Sequence, residues 1–239
     1  MKLLWLSLLA AASLAAASPT TAQGYEMKSY VRFLGFEPAA FWCDAPGRVL
    51  AVTQPKGTGG AAQPVTQPVK LLEWAGSDYS VQDYQLGPSD AGAGNLYTAL
   101  TPSAMPVRDA PTFFIHSSNV ENARDPQYRM THILEFKVPS GTFRCRYKPQ
   151  AAFVGATALH SVTIWEHQGK VTYASTNHNG TPGVYLTGGQ HSGNEYRWYK
   201  SGYTYLVKLS FENSSLIVLR GNTVLSNESF QAYSVSVRK

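Results

Sequence analysis

The sequence predicts an all-β protein, an antiparallel sandwich or small barrel with a meander-like C-terminal part and little or no helix in the mature chain. Three observations carry this. Apolar and polar residues alternate with a period of two through residues 130–138 and 203–211. Two-residue turns, Gln168-Gly169 and Gly221-Asn222, separate apolar runs, and residues that tolerate positive φ are what tight hairpins require. No stretch after residue 22 sustains the 3.6-residue period of a helix.

In chain order, the start reads as an export signal. Met1-Lys2 is followed by a nearly unbroken apolar run over residues 3–17 and by small residues up to Ala22. One cation, a short hydrophobic stretch and a small-residue cleavage site make a Sec-type leader of residues 1–22. The run is too short and Ala-rich for a bilayer span of about 20 residues, and no later segment is apolar enough to span. Strands are expected near residues 48–53, 69–74, 79–86 and 112–117. Between them, residues 54–68, 87–94, 101–111 and 119–127 read as long loops, the first of them rich in Pro, Gly and Gln. Pro139-Ser140-Gly141 interrupts the pattern. It divides the mature chain into a β-rich region with long loops, 23–140, and an antiparallel β domain, 141–239; one continuous sandwich is the alternative. The second part carries strand signals near 161–166, 170–174, 203–211, 216–219 and 232–238.

Charge excludes one partner class. The formal charge of +5 falls to +4 without the leader, and residues 23–150 carry twelve Lys/Arg against eleven Asp/Glu while residues 151–239 carry seven against four. Phosphate recognition needs a clustered cationic stripe, so nucleic acid is not an expected partner. Arg144, Arg146 and Lys148 alternate with Phe143, Cys145 and Tyr147, which assigns the three cations to one solvated strand face. The two cysteines, Cys43 and Cys145, are expected to form a disulfide in an oxidising compartment, secreted or periplasmic, and so to be lost to nucleophilic chemistry.

Signatures of catalysis are absent from the sequence. Neither Gly-x-Ser-x-Gly nor Ser-x-x-Lys occurs; Gly189-Gln190-His191-Ser192-Gly193 puts its serine in the fourth position. The six histidines lack zinc-protease spacing, and His167, His178 and His191 read as exposed loop residues rather than metal ligands. No cofactor is implied, and the expected role is non-enzymatic. Tyr196, Trp198, Tyr199, Tyr203 and Tyr205 fall within ten residues. Strand alternation assigns at least half of these rings to a sheet core; exposed ones would stack on sugars or anchor a protein. Residues 176–195, with their Gly, Asn and His, are the expected contact loops.

Ser192-Gly193-Asn194-Glu195-Tyr196, followed by Trp198-Tyr199-Lys200-Ser201-Gly202, resembles a segment of the periplasmic and membrane-bound inhibitors of C-type lysozyme. That resemblance implies a small antiparallel barrel whose loop enters a lysozyme cleft, with Ser192, Tyr196 and Lys200 as the contacts. Trp165-Glu166, Gly169-Lys170-Val171, Tyr173 and Gly202-Tyr203, Tyr205 are more broadly similar to small exported bacterial β-domains of unknown role. The expected function is therefore an exported binding or envelope-associated module contacting a protein or glycan through Ser192, Tyr196, Trp198 and Lys200. Inhibition of a lysozyme-like glycosidase, and carbohydrate binding or hydrolysis, are the alternatives.

Overall fold

The computed structural model describes residues 24–56, 66–106, 112–118, 120 and 129–239. The expected leader, most of the Pro/Gly-rich loop after residue 56 and most of the loop at 119–127 lie outside the described residues. Every described element is a β-strand, and every pairing is antiparallel. No helix among the described residues is long and apolar enough to cross a membrane.

Two meanders make up most of the chain. The first runs through β2 (Phe36–Ala45), β3 (Arg48–Thr53), β4 (Gln67–Ala75), β5 (Asp78–Gly92), β6 (Asn95–Pro102), β7 (Phe114–Ser118), β8 (His132–Val138) and β9 (Gly141–Arg144), each strand paired with the next. The second runs through β10 (Phe153–Ala156), β11 (His160–His167), β12 (Lys170–Asn177), β13 (Pro182–Ser192), β14 (Glu195–Lys200), β15 (Tyr203–Lys208), β16 (Ser215–Arg220) and β17 (Thr223–Ser229). Two strands from the ends of the chain join them. β1 (Tyr25–Arg32) pairs with β2 on one side and with β18 (Ala232–Arg238) on the other, and β18 pairs with β10. The result is one continuous 18-stranded antiparallel sheet. It does not close into a barrel. Residue 140 lies in the turn between β8 and β9, and the ladder continues across it; the chain passes from one meander to the other over residues 145–152.

Local chemistry explains the tight connections. Gln168 and Gly169 both take positive φ, 49° and 75°, in the β11–β12 turn, and Ser201 and Gly202 do the same between β14 and β15, the backbone that matches the twist of a hairpin. Strands read as loops from sequence have irregular ladders. β13 carries register shifts against β12, and a Cβ on Gly189 would fall inside the Trp198 indole. β5 continues through the expected loop at 87–94 as far as Gly92, with a register shift between Leu86 and Ser89. Conversely, the expected 203–211 strand stops at Lys208, and Phe211 is exposed rather than on the core face.

Three clusters form the core. Leu50, Val52, Leu71, Tyr84, Leu100, Ile115 and Phe136 fill the first meander, and Phe153, Ile164, Tyr173, Tyr196, Trp198, Val207 and Phe230 fill the second. Between them, Val31, Trp42, Val49, Leu72, Trp74, Ala156 and Ala232 form a seam. The first meander curls so that its end returns to its start: Arg146 N–H donates to Asp44 O at 2.7 Å. The Cys43–Cys145 disulfide, with Cα atoms 5.1 Å apart, fixes this return.

Candidate functional site

A cleft of about 410 Å³ opens between the meanders, within the usual range of small-molecule sites. Met27 of β1, Phe41 of β2, Met130, Ile133 of β8 and Val154 of β10 supply apolar wall, and Tyr147 and Lys148 come from the segment crossing between meanders. Trp42 also borders it; its indole N–H donates to Ser234 Oγ at 2.7 Å, and Ser29 Oγ lies 2.7 Å from the same hydroxyl.

Charged and polar groups meet on one side of the cleft. Arg146 Nη1 lies 2.6 Å from Asp44 Oδ1 and donates to Ser161 Oγ at 3.1 Å. Arg146 therefore leaves the solvated face expected for it: β9 ends at Arg144, and the chain turns its next cation inward. His178 approaches from beyond β12, its Nε2 3.7 Å from Asp44 Oδ1. Its Nδ1 lies 3.2 Å from Ala158 O and must donate there, because a carbonyl only accepts. Nε2 is buried with no hydrogen-bond partner among the described residues. Burial pushes the Asp44 carboxyl up, opposed by the Ser161 hydroxyl, Arg146 and His178. Burial likewise pulls His178 down, opposed by Asp44. Perturbed titratable groups in a cleft mark a candidate site.

Ser161 is not held as an activated serine in this arrangement. Ser161 shares its hydroxyl between Asp44 and Arg146, so its proton faces a carboxylate already matched to a guanidinium. His178 points at Asp44, and an activated serine needs its base in direct hydrogen-bond contact.

The expected contact residues are dispersed. Ser192 ends β13 and is exposed, whereas Tyr196 and Trp198 lie in the core. This corrects their assignment to a binding loop: alternation along β14 turns Tyr196 and Trp198 inward and leaves Glu195, Arg197 and Tyr199 facing out. Trp198 Nε1 donates to Val171 O at 3.3 Å. Lys200 is exposed at the far end of β14, its Nζ 3.4 Å from Tyr185 O. Ser192 pairs with Glu195 and Lys200 with Tyr203, so about 17 Å of strand separates the two positions, five residues at about 3.3 Å each. Ser192, Tyr196 and Lys200 thus share no surface. Residues 176–195 are mostly strand rather than contact loops, because β12 runs to Asn177 and β13 begins at Pro182.

The three loop histidines also lie apart. His167 ends β11, His178 meets Asp44, and His191 Nδ1 sits 2.5 Å from Glu166 Oε1 with its Nε2 3.0 Å from Gly193 O. The bond to Glu166 raises His191, and the reciprocal bond lowers Glu166. His191 thus ties the β13–β14 hairpin to β11 through its ion pair with Glu166. Tyr196 stacks on its ring at 3.9 Å.

Asp44, Arg146, Ser161 and His178 were not distinguished by motif. One signal was present: Asp44 follows Cys43 and Arg146 follows Cys145, so pairing the cysteines brings an acid and a base together. Comparison with family models, curated proteins and solved structures finds no match to this chain.

Proposed function

We propose that this chain is an exported, non-enzymatic binding module whose ligand is a small amphipathic molecule held in the cleft between the meanders. The observation that carries the reading is the cleft itself, about 410 Å³ with apolar wall from Met27, Phe41, Met130 and Val154 beside the Asp44–Arg146–Ser161 group. An apolar concavity with a few fixed polar groups is the usual construction of a small-molecule site. Export is supported by the cystine formed from both cysteines of the chain, since disulfides persist in oxidising compartments.

The probe is 1-anilinonaphthalene-8-sulfonate, an amphipathic anion, titrated while the probe's own emission is followed. Ala40 lines the cleft, and Ala40→Phe is expected to weaken probe binding about tenfold by occupying the space. Unchanged binding in a variant with the parent's circular dichroism would remove the cleft from consideration.

A further inference from the structure

A second concavity, about 650 Å³, lies at the end of the second meander between β1, β18, the β13–β14 turn and the segment after β15. Its lining combines three kinds of group. Rings come first: Tyr25 and Tyr30 are half-buried, and Phe211 is 72 % exposed. Arg129 holds the Tyr25 ring, donating to its hydroxyl at 2.8 Å with the guanidinium 4.1 Å from the ring centroid. Cations come second. Lys28 and Arg238 line the groove and form no ion pair among the described residues. The one carboxylate in the lining, Glu166, is matched by His191, so the groove keeps a cationic excess. Third, Asn194 and Ser210 supply an amide and a hydroxyl.

We propose that this groove binds an acidic glycan, a chain of sugar rings bearing carboxylates. Each kind of group meets one part of such a ligand. The C–H face of a pyranose covers an aromatic ring, its hydroxyls hydrogen-bond to amide and hydroxyl groups, and its carboxylates meet unpaired cations. A neutral glycan would leave Lys28 and Arg238 unanswered. A simple anion would not use Phe211, an exposed phenyl ring at the rim. Nucleic acid is disfavoured because the cations form no stripe along a backbone path. The proposal is independent of the cleft, which shares none of these residues.

The test is titration calorimetry of the whole chain with oligogalacturonate and, in parallel, the same oligomer fully methyl-esterified. The acid form is expected to bind and the ester to bind about tenfold more weakly or not at all. Phe211→Ala and Lys28→Ala are each expected to cost about tenfold. Lys70→Ala, on β4 of the other meander, should leave binding unchanged. The proposal is overturned if the acid form does not bind, if the ester binds equally, or if Phe211→Ala retains parent affinity. It is also overturned if Lys70→Ala weakens binding as much as Lys28→Ala, which would reveal diffuse polyanion attraction, or if single-stranded DNA of equal charge binds more tightly.

Discussion

Two histidines in the second meander sit in opposite electrostatic settings, and that contrast is measurable. His178 is held below its ordinary value of 6.5, first by burial. The unfolded chain therefore takes up a proton near 6.5 that the folded chain refuses, and stability falls as the pH drops below that point. His191 is held above 6.5, first by its hydrogen bond to Glu166, and Glu166 is held below 4.5, first by the same bond. Its stabilisation is complete below 6.5 and disappears as the pH rises through the folded value. The Glu166 contribution is complete above 4.5 and disappears as the pH falls through its own folded value. The clamp is therefore whole between about 4.5 and 6.5. Proton–nitrogen NMR of the imidazoles should show His191 titrating above 6.5 and His178 below it in the same sample. A midpoint for His178 at or above 6.5 would mean that burial does not outweigh the pull of the Asp44 carboxylate on its ring.

At the scale of elements, the cystine is the most consequential link within the first meander. No ladder returns β9 to β2, so closure rests on Arg146 N–H, the Arg146–Asp44 ion pair, the Cys43–Cys145 bond and the packing of Phe41 and Phe143 on the shared core. The cysteines are 102 residues apart, and chain entropy for so long a loop corresponds to about 4–5 kcal/mol. Cys43→Ala with Cys145→Ala should lower the unfolding free energy by about 4 kcal/mol in urea titration; a loss under about 1 kcal/mol would show that the strands hold the curl alone. The legible strands carry an alternating apolar set between recognisable turns. β11 and β15 pair with both neighbours without a register shift, β8 stays readable in spite of one against β7, and the same parity turns Tyr196 and Trp198 inward. β13 and the second half of β5 were illegible because their register shifts break the period that marks a strand, and their Gly, Pro, Asn and Ser residues imitate a loop. The cleft was illegible for another reason. Its walls come from residues 27–234, and no local pattern reports a contact made by strands that distant.

For the whole molecule, the decisive fact is that the ends of the chain pair with each other. Tyr25 lies opposite Arg238 and Val31 opposite Ala232, so β1 and β18, the most distant strands in sequence, form the bridge between meanders. Pairings this non-local must await the whole chain and pay loop-closure entropy late, which makes folding slow. They also make the meanders interdependent. The seam draws Val31 from β1, Trp42 from β2, Trp74 from β4, Ala156 from β10 and Ala232 from β18. The buried Gln231 side chain adds a bond to Gly76 O in the β4–β5 turn at 2.5 Å. Removing the second meander would leave one side of β18 unpaired and expose Trp42 and Trp74, both at least nine-tenths buried. Exposure of buried apolar area on that scale costs about 25 cal/mol per Å². Two halves joined only by a linker would melt separately, whereas these share a ladder and a packed seam. Scanning calorimetry should accordingly show one transition with equal calorimetric and van't Hoff enthalpies. Two resolved transitions would mean that β1 and β18 unzip before either meander unfolds, and the cleft between them would then open as the first step of denaturation.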